Sequence, residues 1–246
     1  MPKINHPSVI AMLRPLLAQF TPTGGSARNL SDKAKESVSV KDFGATGDGV
    51  TDDSAAFVAA LAALRAAAVN DVGTYKGSQR LLVPAGHYYL ANTTLDILHT
   101  LTIQGEGSGM TGGVVSKLRW NGGATGIRVQ YYITEGDRQI VAAHSSGAGT
   151  ILRGLFLDGG YAGTPGDHHA IDLLARASIY DCQAFQWAGN GFNIVATAGG
   201  GAGLEGNANC FAVYHSSAYA CKNGMYLSGA DANAGTIVGG DYSAYR

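Results

Sequence analysis

The sequence is poor in charge and has no long apolar run. Charged residues make up 14% of the 246 residues, and the formal net charge is −1. The chain therefore lacks the basic surface that binds nucleic acid. Its apolar runs stay below the roughly 18 residues that a membrane-spanning helix requires. These absences predict that the partners include neither a nucleic acid nor a membrane.

Motifs for metals and disulfides are also scarce. The three cysteines, Cys182, Cys210 and Cys221, form no CxxC pair. Their odd number favours buried, reduced thiols, although a disulfide between two of them stays open. His168 and His169 are adjacent, so in a strand they would point to opposite faces and could not share a metal. We predict no metal and no cofactor.

Two glycine-rich runs match ligand-binding loops only in part. Gly107–Gly112 reads GxGxxG after an apolar segment, but Val114–Trp120 follows as another strand pattern where a dinucleotide site needs a helix. Gly47–Asp53 is acidic, but it lacks the alternating ligands and the terminal glutamate of an EF-hand. We expect ordinary turns at both places.

The sequence does contain many short apolar segments separated by glycine and asparagine. Its 36 glycines cluster between these segments, and a hydrophobic content of 46% argues against intrinsic disorder. Few helical patterns intervene, which is typical of an all-β solenoid. The predicted strands are Arg80–Val83, His87–Ala91, Leu101–Gln104, Val114–Trp120, Gly126–Tyr131, Ile151–Leu157, Ala170–Leu174, Ser178–Phe185, Gly191–Val195, Cys210–Tyr214, Gly224–Leu227 and Thr236–Val238.

A weak internal repeat indicates that these strands coil. The triplet Asn190–Phe192 recurs as Asn223–Met225, an offset of 33 residues. Removing the glycine-rich insert Ala198–Gly206 leaves 24, which suits one turn of a solenoid. Ala170 and Ile171 precede Gly191 and Phe192 by 21 residues. Stacked coils of this kind bury a core that no single coil could form alone.

The most informative stretch is Val38–Leu64. Its first apolar residues alternate with polar ones, which predicts a short strand. Glycines around Asp48 then supply the positive-φ positions of a tight turn. Thr51, Asp52 or Asp53 can cap the alanine-rich helix predicted over Asp53–Val69. The residues that define this motif are Asp42, Gly44, Gly47, Asp48, Gly49, Asp52 and Asp53.

This strand, glycine turn and Asp-capped helix resemble the N-terminal signature of the pectate-lyase-like right-handed β-helix superfamily. Upstream, Arg28–Ser37 resembles the segment that precedes this signature in bacteriophage tailspike proteins. The resemblance implies an all-β fold: a right-handed parallel β-helix (solenoid) with an N-terminal capping α-helix and a short N-terminal anchor segment. We expect an anchor and linker at 1–26, a neck and first turn at 27–52, and the helix and solenoid at 53–246, continuing beyond Arg246 in the native protein.

The same resemblance implies a function. It predicts a phage tailspike-like virion protein, assembled in the host cytoplasm and located in the virion tail. Residues 1–26 would attach it to a tail or baseplate protein, and three copies would recognise, and in an enzymatic form depolymerise, a bacterial surface polysaccharide. The alternatives are a glycoside hydrolase or lyase of the polygalacturonase or pectate-lyase type and a purely structural tail component. Residues 1–20 form no clear signal peptide, which counts against a secreted enzyme.

Catalysis on such a solenoid would need carboxylates, one as proton donor and one as base or nucleophile. Asp172 and Asp181 lie in neighbouring predicted strands, and Glu205 lies in the glycine-rich insert that could overhang a groove. These three are the candidate catalytic residues. Sugar rings also stack on aromatic side chains in or beside strands. The candidate glycan-binding residues are Trp187, Tyr214 and Tyr226.

The predicted oligomer is testable by light scattering. We expect the full chain to have the mass of a trimer in solution, because three parallel solenoids would bury lateral surface and bring three anchors together. A chain lacking residues 1–26 would show whether the anchor is needed for assembly. A well-behaved monomer of the full chain would contradict the trimeric spike.

Overall fold

The protein divides into a small N-terminal unit and a large solenoid. A computed structural model describes residues 19–29, 37–68, 79–109, 114–130, 149–161, 163, 166–195, 208, 210–229, 232 and 234–244. The units are Met1–Val38 and Ser39–Arg246. In the first, β1 (Gln19–Phe20) pairs antiparallel with β2 (Arg28–Asn29). The rest of the predicted anchor, residues 1–18, lies outside the described residues.

All strands from β4 onward belong to three parallel sheets. Two short elements precede them: β3 (Val38–Ser39) and a 3-10 helix (Val40–Phe43). Sheet 1 contains β5 (Gln79–Val83), β8 (Leu101–Gly105), β11 (Thr150–Arg153), β14 (Ala177–Tyr180), β17 (Ala212–Tyr214) and β20 (Thr236–Val238). Sheet 2 contains β4 (Asp48–Asp52), β6 (Gly86–Tyr89), β9 (Ser116–Arg119), β12 (Phe156–Asp158), β15 (Gln183–Phe185), β18 (Ser217–Cys221) and β21 (Tyr242–Ala244). Sheet 3 contains β7 (Leu95–Ile97), β10 (Ile127–Val129), β13 (Ile171–Leu173), β16 (Phe192–Val195) and β19 (Met225–Ser228).

The chain visits the three sheets in turn, so each circuit is one coil of a parallel β-helix. From β5 onward, neighbours within a sheet are three strands apart in sequence. Strands of successive coils pair in register, so inward side chains of the same kind stack into columns. One column in sheet 1 runs through Leu81, Ile103, Leu152, Ile179 and Val213, all fully buried or nearly so. The predicted solenoid is confirmed.

A helix closes the first coil in place of a sheet 3 strand. Helix α1 (Ser54–Ala68) matches the predicted capping helix within the described residues. Its apolar face buries Phe57, Leu61 and Leu64, and the Phe57 ring meets Tyr88 edge-on at 5.4 Å between centroids. None of the described helices is both long and apolar enough to cross a membrane.

The first turn differs from its prediction in two places. Val40–Phe43 forms a 3-10 helix instead of continuing a strand, because Ser39 and Asp42 form a reciprocal capping box. The acidic run Asp48–Asp52 forms β4 and pairs with β6, with an irregular register, instead of a free turn. The expected left-handed glycines are present, with φ of 92° at Gly44, 67° at Gly47 and 81° at Gly49.

The acidic residues of this turn have separate tasks. Asp52 caps α1 by accepting a hydrogen bond from the Ser54 N–H at 3.0 Å. Asp53 is 2% exposed and turns back, accepting from the N–H groups of Thr46 at 2.6 Å and Gly47 at 3.1 Å. Asp53 therefore ties the glycine loop to the helix start.

Asp48 organises the strand that follows the loop. Its carboxylate accepts hydrogen bonds from the N–H groups of Thr51, at 2.8 Å, and Val50, at 2.9 Å. These bonds, with one from the Thr51 hydroxyl, lower the pKa of Asp48 to about 2. Asp48 is therefore ionised at neutral pH and holds the backbone of β4 in place.

Two segments predicted as single strands are each two strands joined by a corner. Ile151–Leu157 is divided between β11 and β12, and Ser178–Phe185 between β14 and β15. Each corner contains a left-handed residue, Gly154 with φ of 65° and Asp181 with φ of 51°. An apolar run does not reveal such a corner, because the residues on both sides of it still point into the core.

The predicted repeat is confirmed as coil-to-coil register. Ile171 pairs with Phe192 and Phe192 with Met225. A glycine precedes Phe192 and another precedes Met225, because the chain bends tightly into the core at these points. A Cβ at Gly191 would lie 2.4 Å from the Ala218 Cβ and 2.6 Å from the Gly224 carbonyl oxygen.

The cysteines follow their prediction only in part. All three are free thiols, and Cys182 and Cys221 are buried. Burial raises the pKa of Cys182 to about 12 and that of Cys221 to about 11. Cys210 is exposed, so the expectation of three buried thiols is wrong at this position.

Gly191→Ala tests the tight approach of neighbouring coils. We expect it to destabilise the protein by about 1–3 kcal/mol, because the added methyl group forces Ala218 or the backbone at Gly224 to move. Urea unfolding would measure the loss. Gly109→Ala is the matched control, since a Cβ there meets nothing within 4 Å. Equal stability of the two variants would contradict the packing argument.

Candidate functional site

The outer face of sheet 3 carries a row of polar side chains across successive coils. The strands read Leu-Asp-Ile, Ile-Arg-Val, Ile-Asp-Leu and Phe-Asn-Ile at their first three positions. Register pairing aligns the middle residues, about 4.8 Å apart from strand to strand. We call Asp96, Arg128, Asp172 and Asn193 the polar ladder.

Direct contacts join the members of the polar ladder. Arg128 donates from Nε to the Asp172 Oδ2 at 3.3 Å, and its Nη1 lies 3.7 Å from the Asp96 Oδ1. Asn193 donates from Nδ2 to the Asp172 Oδ1 at 2.8 Å. Both oxygens of Asp172 are therefore satisfied, which explains how this carboxylate is held at 7% exposure.

A second polar column stands beside the ladder, three residues before it along each strand. Asn223 donates to the Asn190 Oδ1 at 2.7 Å, and Asn190 donates to the Asn193 Oδ1 at 2.7 Å. The Asn190 N–H donates to the His169 Nδ1 at 2.8 Å. His169 therefore carries its proton on Nε2 when neutral. Burial lowers its pKa, and the nearby Asp172 opposes this shift.

Asp96 has a raised pKa. Burial raises the pKa of Asp96, the Asp172 charge raises it further, and Arg128 lowers it. Gln130 also donates to the Asp96 Oδ1 at 3.1 Å. Asp96 thus retains its proton more readily than a free aspartate does.

This arrangement can bind a sugar chain and has parts suited to acid–base chemistry. Two strand spacings put the backbones of Asp96 and Asp172 about 9.5 Å apart, and both carboxyl groups converge on the Arg128 guanidinium between them. Among the described residues, no group of three or more His, Cys, Asp or Glu side chains could hold a metal ion.

A small cavity of about 200 Å³ lies where the polar ladder meets α1. Val58, Leu61 and Arg65 of the helix form one wall. Asp96 and His99 contribute from the second coil. Asp96 thus belongs to both features, so a ligand on the ladder could extend into the cavity.

The predicted carboxylates do not come together. Asp172 is in the polar ladder, but Asp181 lies at the corner between sheets 1 and 2. There its oxygens lie 3.6 Å from the Arg153 Nε and 3.8 Å from the His215 Nδ1. The expected Asp172–Asp181 pair is wrong in geometry, because consecutive strands of a coil belong to different sheets and face different directions. Glu205 lies outside the described residues.

The three predicted aromatics also separate. Trp187 is 0% exposed, donates from Nε1 to the Leu157 carbonyl at 3.1 Å, and packs 5.2 Å from Trp120. This burial removes Trp187 from the glycan-binding candidates, since neither ring face is open. Tyr214 stacks on Tyr180 on sheet 1, with centroids 5.1 Å apart. Tyr226 is 45% exposed and is aligned with Asn193, so it extends the ladder face.

Sequence reasoning missed Asp96, Arg128 and Asn193. A signal was present, since each is the single polar residue between two apolar ones in a sheet 3 strand. That pattern predicts an outward side chain on an otherwise inward-facing strand. It does not show that the three residues stack on one another, because 32 to 65 positions separate them in sequence.

Comparison with known proteins gives a match to a family model over part of the chain, and a fold. Residues 37–145 match the sequence model of the family described as rhamnogalacturonase A/epimerase, pectate lyase-like. Among solved structures, the A-module of the mannuronan C-5 epimerase AlgE6 from Azotobacter vinelandii aligns with a TM-score of 0.52 at 20% identity, over 84% of this chain and 56% of that one. Comparison with curated proteins finds no match.

A second structural neighbour is more distant. ORF18 of Geobacillus virus E2 aligns with a TM-score of 0.47 at 15% identity, over 93% of this chain and 44% of that one. The chain thus spans little more than half of the epimerase module and less than half of the phage protein.

The electrostatics of the polar ladder can be tested by NMR titration of the aspartate carboxyls. We expect the pKa of Asp96 to lie above the usual value. Arg128→Gln should raise it further, because a stabilising cation is lost, and Asp172→Asn should lower it, because a repelling anion is lost.

Asp181→Asn, at a different corner of the solenoid, is the control and should leave the titration of Asp96 unchanged. Shifts of the same sign in Arg128→Gln and Asp172→Asn would rule out direct electrostatic coupling through the ladder.

Proposed function

We propose that this parallel β-helix, whose residues 37–145 match a pectate-lyase-like family model, binds a polysaccharide along the outer face of sheet 3. The polar ladder is the observation that carries this proposal. It offers carboxylate, guanidinium and amide groups in one row, the groups that recognise sugar hydroxyls and acidic sugars. Tyr226 adds an exposed aromatic ring in the same register, on which a sugar could stack.

The biological setting we propose is a tailspike-like virion protein. The ligand would then be a bacterial surface polysaccharide, residues 1–26 would attach to a phage tail or baseplate protein, and the chain would form a homotrimer in the virion tail. The resemblance of Arg28–Ser37 and of the glycine turn to tailspike sequences supports this setting. The light-scattering measurement described above tests the trimer directly.

Depolymerisation of the bound glycan is the second candidate function. It is favoured by the raised pKa of Asp96 beside the hydrogen-bonded Asp172, which suits a general acid facing a base. In this version the protein is a glycoside hydrolase or lyase. A purely structural tail component could use the bonds within the ladder but would not need its exposed tyrosine.

Binding to a panel of purified bacterial surface polysaccharides and pectic polymers tests the proposed function. We expect at least one polymer to bind, and Asp172→Asn to weaken that binding about tenfold, equivalent to about 1.4 kcal/mol. The isosteric change keeps the acceptor for Asn193 but removes the charge that orients Arg128. If new reducing ends or unsaturated products form on incubation with the polymer, the protein also cleaves it.

Asp181→Asn is the matched control, since it removes a carboxylate away from sheet 3. It should bind like the wild type. No binding to any polymer, or equal losses in both variants, would contradict the assignment of the glycan site to the polar ladder.

A further inference from the structure

A second arginine, on a different face of the same coil, has no ion-pair partner among the described residues. Arg119 ends β9 in sheet 2, and Arg128 lies on β10 in sheet 3. Register pairing places Arg119 between Tyr89 on one side and Asp158 on the other. Since cross-strand neighbours of opposite charge commonly pair, Asp158 is the expected partner of Arg119.

Asp158 is already occupied. Its Oδ2 lies 2.7 Å from the Lys117 Nζ, and its Oδ1 accepts from the Gly160 N–H at 2.9 Å. A cation–π contact also holds Lys117 in this position, because its ammonium group lies 5.2 Å from the centre of the Phe156 ring. The Arg119 side chain makes no hydrogen bond or ion pair within the described part of the chain.

The unpaired guanidinium lines a groove of about 340 Å³. Gly49 and Val50 form one rim, and Asn121 and Gly160 line the groove at the end of the sheet 2 strands. Tyr89, one strand below Arg119, supplies a partly exposed ring. A volume of this order is within the range of small-molecule sites.

The carboxylates near the groove are engaged in contacts of their own. Asp158 pairs with Lys117, and Asp48, which precedes Gly49 at the rim, accepts hydrogen bonds from two backbone N–H groups of β4. The other acidic residue of this column, Asp52, is aligned with Tyr89 and so lies two strands from Arg119, about 9.5 Å along the sheet. Its Oδ1 also accepts from the Ser54 N–H.

We propose that this groove binds the carboxylate of an acidic sugar through Arg119. The planar guanidinium presents two parallel N–H donors that match a carboxylate, Tyr89 offers an apolar surface for the sugar ring, and the Asn121 amide can bond a hydroxyl. The identity of the ligand as a sugar rests on the proposed polysaccharide function. The groove is separate from the polar ladder, where Arg128 already has two carboxylate partners.

Titration of ¹⁵N-labelled full-length protein with sodium glucuronate tests the inference. We expect glucuronate to shift the Arg119 side-chain resonance and the amide signals of Val50, Asn121 and Gly160. Glucose at the same concentration should leave them in place, since it lacks the carboxylate. Arg119→Gln should weaken glucuronate binding at least tenfold, and Arg119→Lys should lose much of it, because a lysine keeps the charge but not the paired donors.

Arg80→Gln is the matched control, because Arg80 is an exposed arginine on sheet 1; it should bind as the wild type does. Thermal unfolding confirms that each variant folds. Unchanged glucuronate binding in Arg119→Gln would overturn the proposal. So would an equal response to acetate and glucuronate, which would indicate a general anion site without sugar recognition.

The two proposals fail independently. If the polysaccharide panel binds only neutral polymers and glucuronate leaves the Arg119 resonance unmoved, the acidic-sugar groove is refuted while the polysaccharide function stands. If no polymer binds but glucuronate still binds at Arg119, the groove is supported and the polysaccharide function is refuted.

Discussion

Register between successive coils is the constraint on which the rest of the structure depends. Each coil exposes an apolar inner face that only the next coil can cover, so one coil's strands must align with those of its neighbour. Tight corners make this possible. At Gly191 there is no room for a side chain beside Ala218 and Gly224, so the Asn-Gly-apolar repeat records where the chain bends into the core. At the N-terminal end, Asp53 performs a related task by fixing the glycine loop onto α1.

The same register that builds the core also builds the outer faces. Outward side chains from successive coils lie about 4.8 Å apart, so identical charges in one column would repel each other strongly. On sheet 3 the column alternates instead: Arg128 separates Asp96 from Asp172, and Asn193 continues with a neutral amide. Hydrogen bonds to both oxygens allow Asp172 to remain nearly buried. The row that stabilises the solenoid is thus also the row to which we assign glycan binding.

Arg119 and Arg128 lie on consecutive strands of the third coil, and they show how one neighbouring residue decides whether an arginine is paired. Arg128 lies between two carboxylates and is held by both. Arg119 also has a carboxylate on the adjacent strand, but Lys117 and the Gly160 N–H have taken both oxygens of Asp158. One guanidinium is therefore a structural cation of the polar ladder, and the other is available to an external anion. Fold alone does not distinguish them, because function depends on such local contacts.

The sequence by itself determined the architecture: short apolar segments, the capping helix after the glycine turn, and a repeat whose offsets match the pairing of Ile171, Phe192 and Met225. These follow from local propensity and from a periodicity visible along the chain. Only the tertiary structure decided where the chain turns its corners, and hence which side chains meet. Asp181 lies at the corner between sheets 1 and 2, away from Asp172 on sheet 3, and Trp187 lies in the core instead of on a binding face. Asp96, Arg128 and Asn193 become neighbours only because coils of unequal length return to the same register, and the spacing of residues along the chain does not contain that information.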